Sequence, residues 1–241
     1  MADTALLFLS DTFQFEVDCA VTATGEDDSG PYVVTSATVF YPGGGGQEPD
    51  KGHILTGDGI RHPILKAAFV DHHMRHYVSE ALPAAGTVSI RIDREHRLQN
   101  ARLHTGGHLL SAVVHEKLKW PFMPVKGFHY QQGAYVEFAP TEDMPEVNPD
   151  ELKFALAGDI TKKLPVSTVL VSKQDPLFER AFKPEGFIAP AGRPLRLVSI
   201  TPYLAYPCGG THLHHTGELS WLNIKHIKHK KGNIRISYEV G

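Results

Sequence analysis

The stretch that decides the fold is LQNARLHTGGHLLSAVVHEKL, residues 98–118. It contains no proline, and Leu103, Leu110 and Val114 recur at a spacing that places them on one face of an α-helix. The stretch therefore predicts an amphipathic helix of about five turns. The sequence before it is typical of β-strands, and the sequence after it mixes strand and helix patterns, so this helix separates two regions of different architecture.

The region upstream of the predicted helix has the features of a small all-β unit. Residues 13–22 alternate between apolar and polar side chains, which predicts a half-buried strand. Residues 32–41 are rich in valine, threonine and aromatic residues and predict a second strand that enters a glycine-rich loop. Shorter strand patterns lie near residues 53–55 and 88–92. We expect a first domain over residues 1–92 with the architecture of a small β-barrel.

The region downstream combines helix and strand patterns. The tetrapeptide NPDE at residues 148–151 is typical of a helix start, and a leucine or isoleucine follows at every fourth position. Residues 166–172 and 196–200 predict strands, and the C-terminal segment predicts a β-hairpin that turns at residues 231–233. We expect a second domain over residues 93–241, with an antiparallel sheet and helices, which places the whole chain in the α+β class.

The composition is that of an ordinary folded protein. The chain has 241 residues, of which 24 are basic and 27 acidic, and a formal net charge of -3. This balance excludes a polybasic protein that coats nucleic acid through charge alone, so any contact with nucleic acid has to be local. The two cysteines, Cys19 and Cys208, cannot build a disulfide framework, and Cys19 is expected in the core.

No apolar stretch reaches the length of a membrane span, about 18 residues, and the N terminus lacks the pattern of a secretory signal. We therefore expect a cytoplasmic protein without a membrane partner. The sequence indicates no protein partner.

Histidine is unusually frequent, with 15 residues in the chain. His104 and His108 are four residues apart on the predicted helix, so both side chains project from one face and can reach one ion. Pairs at this spacing also arise by chance in such a chain. His72 and His76 form another pair, which we interpret as solvated or packed. The pair at 104 and 108 alone therefore leaves a metal site and a packing role open.

The segment CGGTH, residues 208–212, favours the metal site. Its two glycines permit a tight loop that presents both flanking side chains inward. Cys208 and His212, together with His104 and His108, offer three nitrogens and one sulfur, a donor set that suits zinc. About 100 residues separate the two pairs, which is too far for a zinc finger, so the site is expected to join two parts of a folded domain. Binding by all four side chains, or by three of them with water, both remain open.

Three motifs in a fixed order give the chain a specific resemblance. They are the loop GGGQEPDKG at residues 44–52, the helical HTGGHLL at residues 104–110 and the segment CGGTH. In order and spacing, over nearly the full length, they resemble the motifs of the AlaX family in its medium-length type. This family comprises free-standing relatives of the editing domain of alanyl-tRNA synthetase. The resemblance implies a zinc-containing deacylase that removes serine, and sometimes glycine, wrongly attached to alanine tRNA.

The resemblance also implies roles for individual residues. Gln47 and Asp50 are expected to reach the zinc pocket from the β unit, Gln47 as a hydrogen-bond partner of substrate or water and Asp50 as an orienting group or base. Thr105 is expected to bond a water or the serine hydroxyl, or to cap a turn. Gly45 and Gly46 are expected to allow close approach of the substrate. The alternative for the loop is a turn without a functional role.

The segment from residue 225 to residue 235 carries five basic residues and no acidic one. Lys230 and Lys231 are therefore expected to bind phosphates of the partner tRNA near its acceptor end. The alternative is a solvated hairpin without a ligand.

Other functions remain open at this stage. Gly106 and Gly107 stand where the family usually has alanine, and they indicate the close approach of another backbone or of the substrate, or a local irregularity. A deacylase for another amino acid such as threonine, and an inert zinc-stabilised tRNA-binding module, would keep the same ligands. An unrelated zinc hydrolase would normally carry a glutamate beside a ligand, as in HExxH, which this chain lacks at the histidine pair.

Overall fold

The computed structural model describes residues 3–141, 147–184, 186–189 and 194–241. The strands in these ranges are β1 Ala5–Leu6, β2 Glu16–Asp27, β3 Gly30–Thr35, β4 Ala37–Thr38, β5 Gly52–Leu55, β6 Arg61–Pro63, β7 Lys66–Val70, β8 His73–Tyr77, β9 Thr87–Ile92, β10 Phe122–Phe128, β11 Tyr135–Pro140, β12 Val166–Val171, β13 Leu195–Ile200, β14 Tyr206–Pro207, β15 Leu222–Lys230 and β16 Asn233–Val240. The helices are α1 Arg94–Ala112, α2 Pro149–Thr161 and α3 Pro176–Arg180, with a π-helical turn at Val113–Lys117 and 3-10 turns at Leu7–Leu9 and Thr216–Leu219. This mixture of mainly antiparallel sheets and few helices confirms the predicted α+β class. Within the described ranges, every helix is too short or too polar to cross a membrane.

The chain divides into two compact units. Unit 1 comprises residues 1–44 and 48–98, and unit 2 comprises residues 45–47 and 99–241. Three residues of the glycine-rich loop thus belong to unit 2, although the chain on both sides of them belongs to unit 1. The functional division predicted at residue 92 stays a prediction.

Unit 1 is built on one row of seven antiparallel strands in the order β6-β5-β9-β2-β3-β8-β7. The long strand β2 pairs with β9 through its first half and with β3 through its second half, and the register shifts between Val21 and Ala23. The predicted alternation is confirmed from Glu16, where the strand starts instead of at residue 13: Cys19 and Val21 are buried while Asp18 and Ala20 are exposed. Within residues 3–98 the strand pairings leave β6 and β7 at the two ends of the row, so closure into a barrel stays a prediction.

The strand predicted over residues 32–41 is interrupted at Ser36, between β3 and β4, and is wrong beyond Thr38, where β4 ends. Ser36 instead bonds Ala20 through its backbone and its hydroxyl. Further on, the backbone N–H of Tyr41 donates to the Asp50 carboxylate. Polar side chains therefore take the backbone bonds that a neighbouring strand would otherwise have made.

The helix predicted over residues 98–118 starts earlier, at Arg94. Its start is set by Asp93, whose side chain accepts a hydrogen bond from the backbone N–H of His96. The buried side chains of Leu103, Leu110 and Val114 confirm the predicted apolar face. The α-helix ends at Ala112 and continues as the π-helical turn.

Unit 2 contains a four-stranded sheet in the order β10-β11-β16-β15 and a three-stranded sheet in the order β12-β13-β14. The helix predicted at NPDE is confirmed as α2, and the Asn148 side chain caps it by accepting from the N–H groups of Asp150 and Glu151. The predicted C-terminal hairpin is also confirmed. Lys231 and Gly232 both have positive φ at its turn, and the even-numbered residues of β16 are buried in strict alternation.

Candidate metal centre

The four predicted ligands come together within unit 2. His104 and His108 lie on α1, Cys208 and His212 lie in the segment after β14, and their ligand atoms are all within 4.8 Å of one another. The Cys208 Sγ is 3.4 Å from the His104 Nε2 and 3.3 Å from the His212 Nε2. Because metal bonds to nitrogen and sulfur measure about 2.0 to 2.3 Å, neighbouring ligands of a tetrahedral ion lie roughly 3.5 Å apart. The arrangement therefore fits a metal ion.

Gln47 lies behind His104 and is fully buried. Its amide oxygen is 2.7 Å from the His104 Nδ1 and accepts a second bond from the Thr211 N–H at 2.9 Å, while its amide nitrogen donates to the Thr211 hydroxyl. Since an amide oxygen only accepts, His104 must carry its proton on Nδ1, which leaves the lone pair of Nε2 for the metal. Gln47 is thus placed to orient a candidate ligand, and its predicted contact with substrate or water stays a prediction.

Thr105 has the same relation to His212. Its hydroxyl oxygen is 3.2 Å from the His212 Nδ1 and accepts a bond from the Leu213 N–H at 3.1 Å. When the His212 Nε2 faces the metal, Nδ1 carries the proton and donates it to this hydroxyl. Thr105 is therefore placed to orient the ring of a candidate ligand and is buried, and its predicted bond to a water or to the serine hydroxyl stays a prediction.

The segment that carries Cys208 is braced by Arg196, a buried residue of β13 that the sequence analysis missed. Its guanidinium donates to the backbone oxygens of Cys208 and Gly210 at 3.1 and 2.7 Å. A Cβ atom on Gly210 would overlap the His104 ring, so this glycine is required by the approach of the histidine. A single arginine within the apolar pattern LRLVSI was the available signal.

Burial keeps the histidines of the cluster neutral. It lowers the pKa of His104 and of His212 well below the usual value, and it lowers the pKa of His108 to about 4, with a smaller contribution from the positive charge of Arg196. Burial raises the pKa of the Cys208 thiol, and the Arg196 charge opposes that effect. Neutral imidazoles are the form that binds a metal, and a bound cation would favour the thiolate.

Asp50 lies in unit 1 and is buried. One carboxylate oxygen accepts from the Arg97 Nε at 2.9 Å, and the other accepts from the Tyr41 N–H at 2.7 Å. Both oxygens are thus engaged within the unit. The predicted role of Asp50 at the zinc pocket, as an orienting group or as a base, stays a prediction.

A cavity of about 230 Å³ opens beside the cluster within unit 2. His104, His108 and Cys208 contribute to its wall, and so do Gly45 and Gly107. Ser111, Val136, Phe182 and Tyr206 complete much of the remaining wall. The predicted close approach of substrate to Gly45 stays a prediction, and Gly46 accepts a hydrogen bond from the backbone N–H of His129 at 2.7 Å.

His129 is the second residue of this region that the sequence analysis missed. Its ring is buried, lines the cavity and stacks on His104 with ring centroids 4.6 Å apart. A Cβ on Gly107 would overlap the His129 ring and the Tyr238 hydroxyl, and a Cβ on Gly106 would press on Val240. The two helix glycines thus mark the close approach of side chains from the sheet, and they were the only local signal of it.

The predicted basic segment is partly neutralised by neighbouring strands. Lys225 is 3.2 Å from Glu239, and Arg235 pairs with Glu137. Lys230 and Lys231 lie exposed at the tip of the β15–β16 hairpin, and Lys228 is exposed nearby on β15.

The chain is similar to alanine-tRNA ligases and to an alanyl-tRNA editing protein. A family model described as the threonyl and alanyl tRNA synthetase second additional domain matches residues 195–237. The chain is 30% identical to an alanine-tRNA ligase of Caldivirga maquilingensis, with 98% of this chain and 26% of the ligase covered. It is 28% identical to the alanyl-tRNA editing protein AlaX-L of Pyrococcus horikoshii, with 98% of this chain and 57% of that protein covered. The chain thus spans about a quarter of the ligase and somewhat more than half of AlaX-L.

Proposed function

Because the chain belongs to the AlaX family of alanyl-tRNA editing proteins, we propose that it is a trans-editing deacylase that hydrolyses the ester of mischarged seryl-tRNA(Ala) and also accepts glycyl-tRNA(Ala). The reaction adds water across the ester, which releases the free amino acid and the tRNA with its terminal ribose hydroxyl restored. Serine and glycine are the expected errors of a synthetase for alanine, because a pocket for a methyl group rejects a small analogue or an added hydroxyl only weakly.

The observation that carries this proposal is the position of the cavity directly beside the four converging ligands. A volume of about 230 Å³ is below the range of about 300 to 1,000 Å³ typical of pockets for drug-sized ligands. It therefore suits a small aminoacyl group at the end of a larger substrate that stays outside.

We assign zinc as the metal, held by His104, His108, Cys208 and His212. A set of one thiolate and three imidazoles suits this ion better than magnesium or calcium, which prefer oxygen ligands. With three of these side chains bound and one position open, zinc would supply a Lewis acid for the ester carbonyl, whereas binding by all four would make the metal structural. Gln47 and Thr105 would hold the rings of His104 and His212 with Nε2 towards the metal.

The ester is an activated bond, so positioning the reacting groups supplies much of the necessary catalysis. Gly45 in the cavity wall has a positive φ and no side chain to obstruct the substrate end. The exposed lysines at the hairpin tip are the proposed phosphate contacts of the tRNA partner.

The test measures zinc content by elemental analysis and deacylation of seryl-, glycyl-, alanyl- and threonyl-tRNA by the same preparation. We expect about one zinc per chain and hydrolysis of the seryl ester in preference to the alanyl ester. Preference for threonyl-tRNA would identify a different deacylase, and binding of tRNA without hydrolysis of any ester would identify an inert binding module.

The chain offers a matched control for the metal. Cys208→Ala should lose zinc and deacylation together, while Cys19→Ala, which changes a buried thiol in the core of unit 1, should keep both. An active Cys208→Ala protein with unchanged zinc content would contradict the assigned ligand set.

A further inference from the structure

We propose that the Nε2 of His129 is a hydrogen-bond acceptor that recognises a donor on the aminoacyl group of the substrate. The inference rests on the proposed function and adds a substrate-binding residue to it. His129 belongs to none of the three motifs and lies in the segment between β10 and β11.

A chain of hydrogen bonds fixes which nitrogen of His129 carries the proton. The Tyr238 hydroxyl is 2.7 Å from the backbone oxygen of Leu103 and 2.6 Å from the His129 Nδ1. A carbonyl oxygen only accepts, so Tyr238 gives its single proton to Leu103 and must itself accept from the Nδ1–H of His129. In the neutral ring this leaves Nε2 with a lone pair and no proton.

That lone pair has no partner within the described ranges of the chain. The ring nevertheless lines the cavity and lies against the ligand His104. An acceptor in the wall of a cavity beside the cluster is suited to a donor that enters with the substrate, because the ligand then gains a hydrogen bond for which no other group of the described chain competes.

Glycines on three segments make room for this ring. A Cβ on Gly107 of α1 would overlap its Nδ1 edge, and a Cβ on Gly127 of β10 would overlap its Nε2 edge. Gly46 lies against the ring from the glycine-rich loop and receives the backbone N–H of His129. The ring is therefore held on several sides, which fixes the direction of its lone pair.

An aminoacyl ester offers two kinds of donor, the α-ammonium group of every amino acid and the side-chain hydroxyl of serine. Binding of stable amide analogues separates them. The probes are 3′-amino-3′-deoxyadenosine carrying a seryl, glycyl, 3-hydroxypropanoyl or propanoyl group. The first has both donors, the second only the ammonium, the third only the hydroxyl, and the fourth neither. Affinities are measured by calorimetry on the zinc-loaded protein.

For His129→Phe, which keeps a ring of similar size, we expect about 10- to 100-fold weaker binding of the seryl analogue and unchanged binding of the propanoyl analogue. The loss is shared by the glycyl analogue if the ammonium is recognised, and by the hydroxypropanoyl analogue if the hydroxyl is recognised. His129→Gln, whose amide oxygen can replace Nε2, should restore part of the affinity. The control His115→Phe removes another histidine of unit 2, which bonds the Phe122 carbonyl outside the cavity, and should leave all four affinities unchanged.

Equal affinities of wild type and His129→Phe for the seryl analogue would overturn the proposal, and so would an equal loss for the propanoyl analogue, because His129 would then only shape the cavity. If His129→Phe does not fold, Tyr238→Phe tests the same point, since it releases the constraint on the tautomer. It should weaken the same analogues by a few-fold, and an unchanged pattern overturns the proposal. Because these affinities do not require turnover, a protein that binds the analogues in this manner but hydrolyses no tRNA would contradict the proposed function alone.

Discussion

Neutral side chains behind two of the candidate ligands determine which ring nitrogen is available to a metal. Gln47 achieves this for His104 with an amide oxygen, and Thr105 achieves it for His212 with a hydroxyl. Neither side chain adds a charge to the cluster, so the net charge of the centre depends on the metal and the single thiolate. Replacing such a group should therefore change the affinity for the metal directly and affect the substrate only through the metal.

Gln47→Ala should weaken zinc binding by about 10- to 100-fold, because His104 loses the acceptor that holds its tautomer. Competition with a chromophoric chelator measures this affinity. Gln132→Ala, an exposed glutamine in the same unit, is the control and should leave it unchanged. Unchanged zinc affinity of Gln47→Ala together with slower hydrolysis of seryl-tRNA would instead return Gln47 to the predicted role at the substrate.

His76 predicts a pH dependence of stability in unit 1. Burial lowers its pKa to about 4, and its ring bonds Thr38 and the Val33 carbonyl. The unfolded chain binds a proton near pH 6.5, so stability is complete above that pH and falls as the pH drops from about 6.5 to about 4. This group should cost about 2 kcal/mol between pH 7.5 and pH 5.

Urea unfolding of the metal-free protein at these two pH values measures the effect. His76→Gln should lose less free energy of unfolding between them than the wild type does, by about that amount. An identical loss in both proteins would show that His76 does not titrate in this range.

Among elements, the β15–β16 hairpin presents the exposed lysines Lys230 and Lys231 at its tip, whereas Lys225 and Arg235 have acidic partners. Lys230→Ala combined with Lys231→Asn should weaken tRNA binding and lower the slope of log affinity against log salt by about 2. Asparagine is chosen at position 231 because Lys231 has a positive φ, which asparagine adopts more readily than most residues. Hydrolysis at saturating tRNA should change little.

Fluorescence anisotropy with labelled tRNA over a range of potassium chloride concentrations measures the slope. The double variant Lys153→Ala, Lys173→Ala removes the same charge elsewhere in unit 2 and should leave the slope unchanged. Equal slopes for the two double variants would support the alternative of a solvated hairpin.

Elements with one strong local pattern could be predicted from the sequence. The strict alternation of β16 and the capped start of α2 both specify their structure within a few residues. Strand β10 was not predicted, because Pro124 and Gly127 interrupt its strand pattern. The structure explains both residues: β10 is an edge strand, which tolerates proline, and Gly127 makes room for His129.

The candidate site likewise contains residues that could be predicted from the sequence and residues that could not. Its ligands could be predicted because each pair lies close together in sequence and has a spacing that metal binding explains. His129 and Tyr238 are separated by 109 residues and meet only in the folded chain, so their spacing in the sequence does not predict their contact. Gly107 indicated that something approaches the helix but not what it was.

On the scale of the whole molecule, structural support is distributed over two units. The cluster of buried apolar residues that includes Val33, Ile54 and Ile90 lies entirely in unit 1, where the buried pair of Asp50 and Arg97 also lies. All four candidate ligands lie in unit 2. A perturbation of one centre should therefore be felt first in its own unit.

Hydrogen exchange followed by mass spectrometry tests this division. Removal of the metal with a chelator should raise exchange in the segment that carries Cys208 and His212 and in the adjoining β13, because the four candidate ligands lose their common partner. Strands β2 and β9 should keep their protection.

Asp50→Asn should instead raise exchange in unit 1, since removing one charge of a buried pair costs about 3 to 5 kcal/mol and leaves Arg97 buried without its partner. Glu16→Gln, which alters an exposed pair with Arg91, is the control and should change the stability by less than about 1 kcal/mol. If chelation deprotects β9 as much as it deprotects β13, the two units unfold as one, and the metal then stabilises the entire chain.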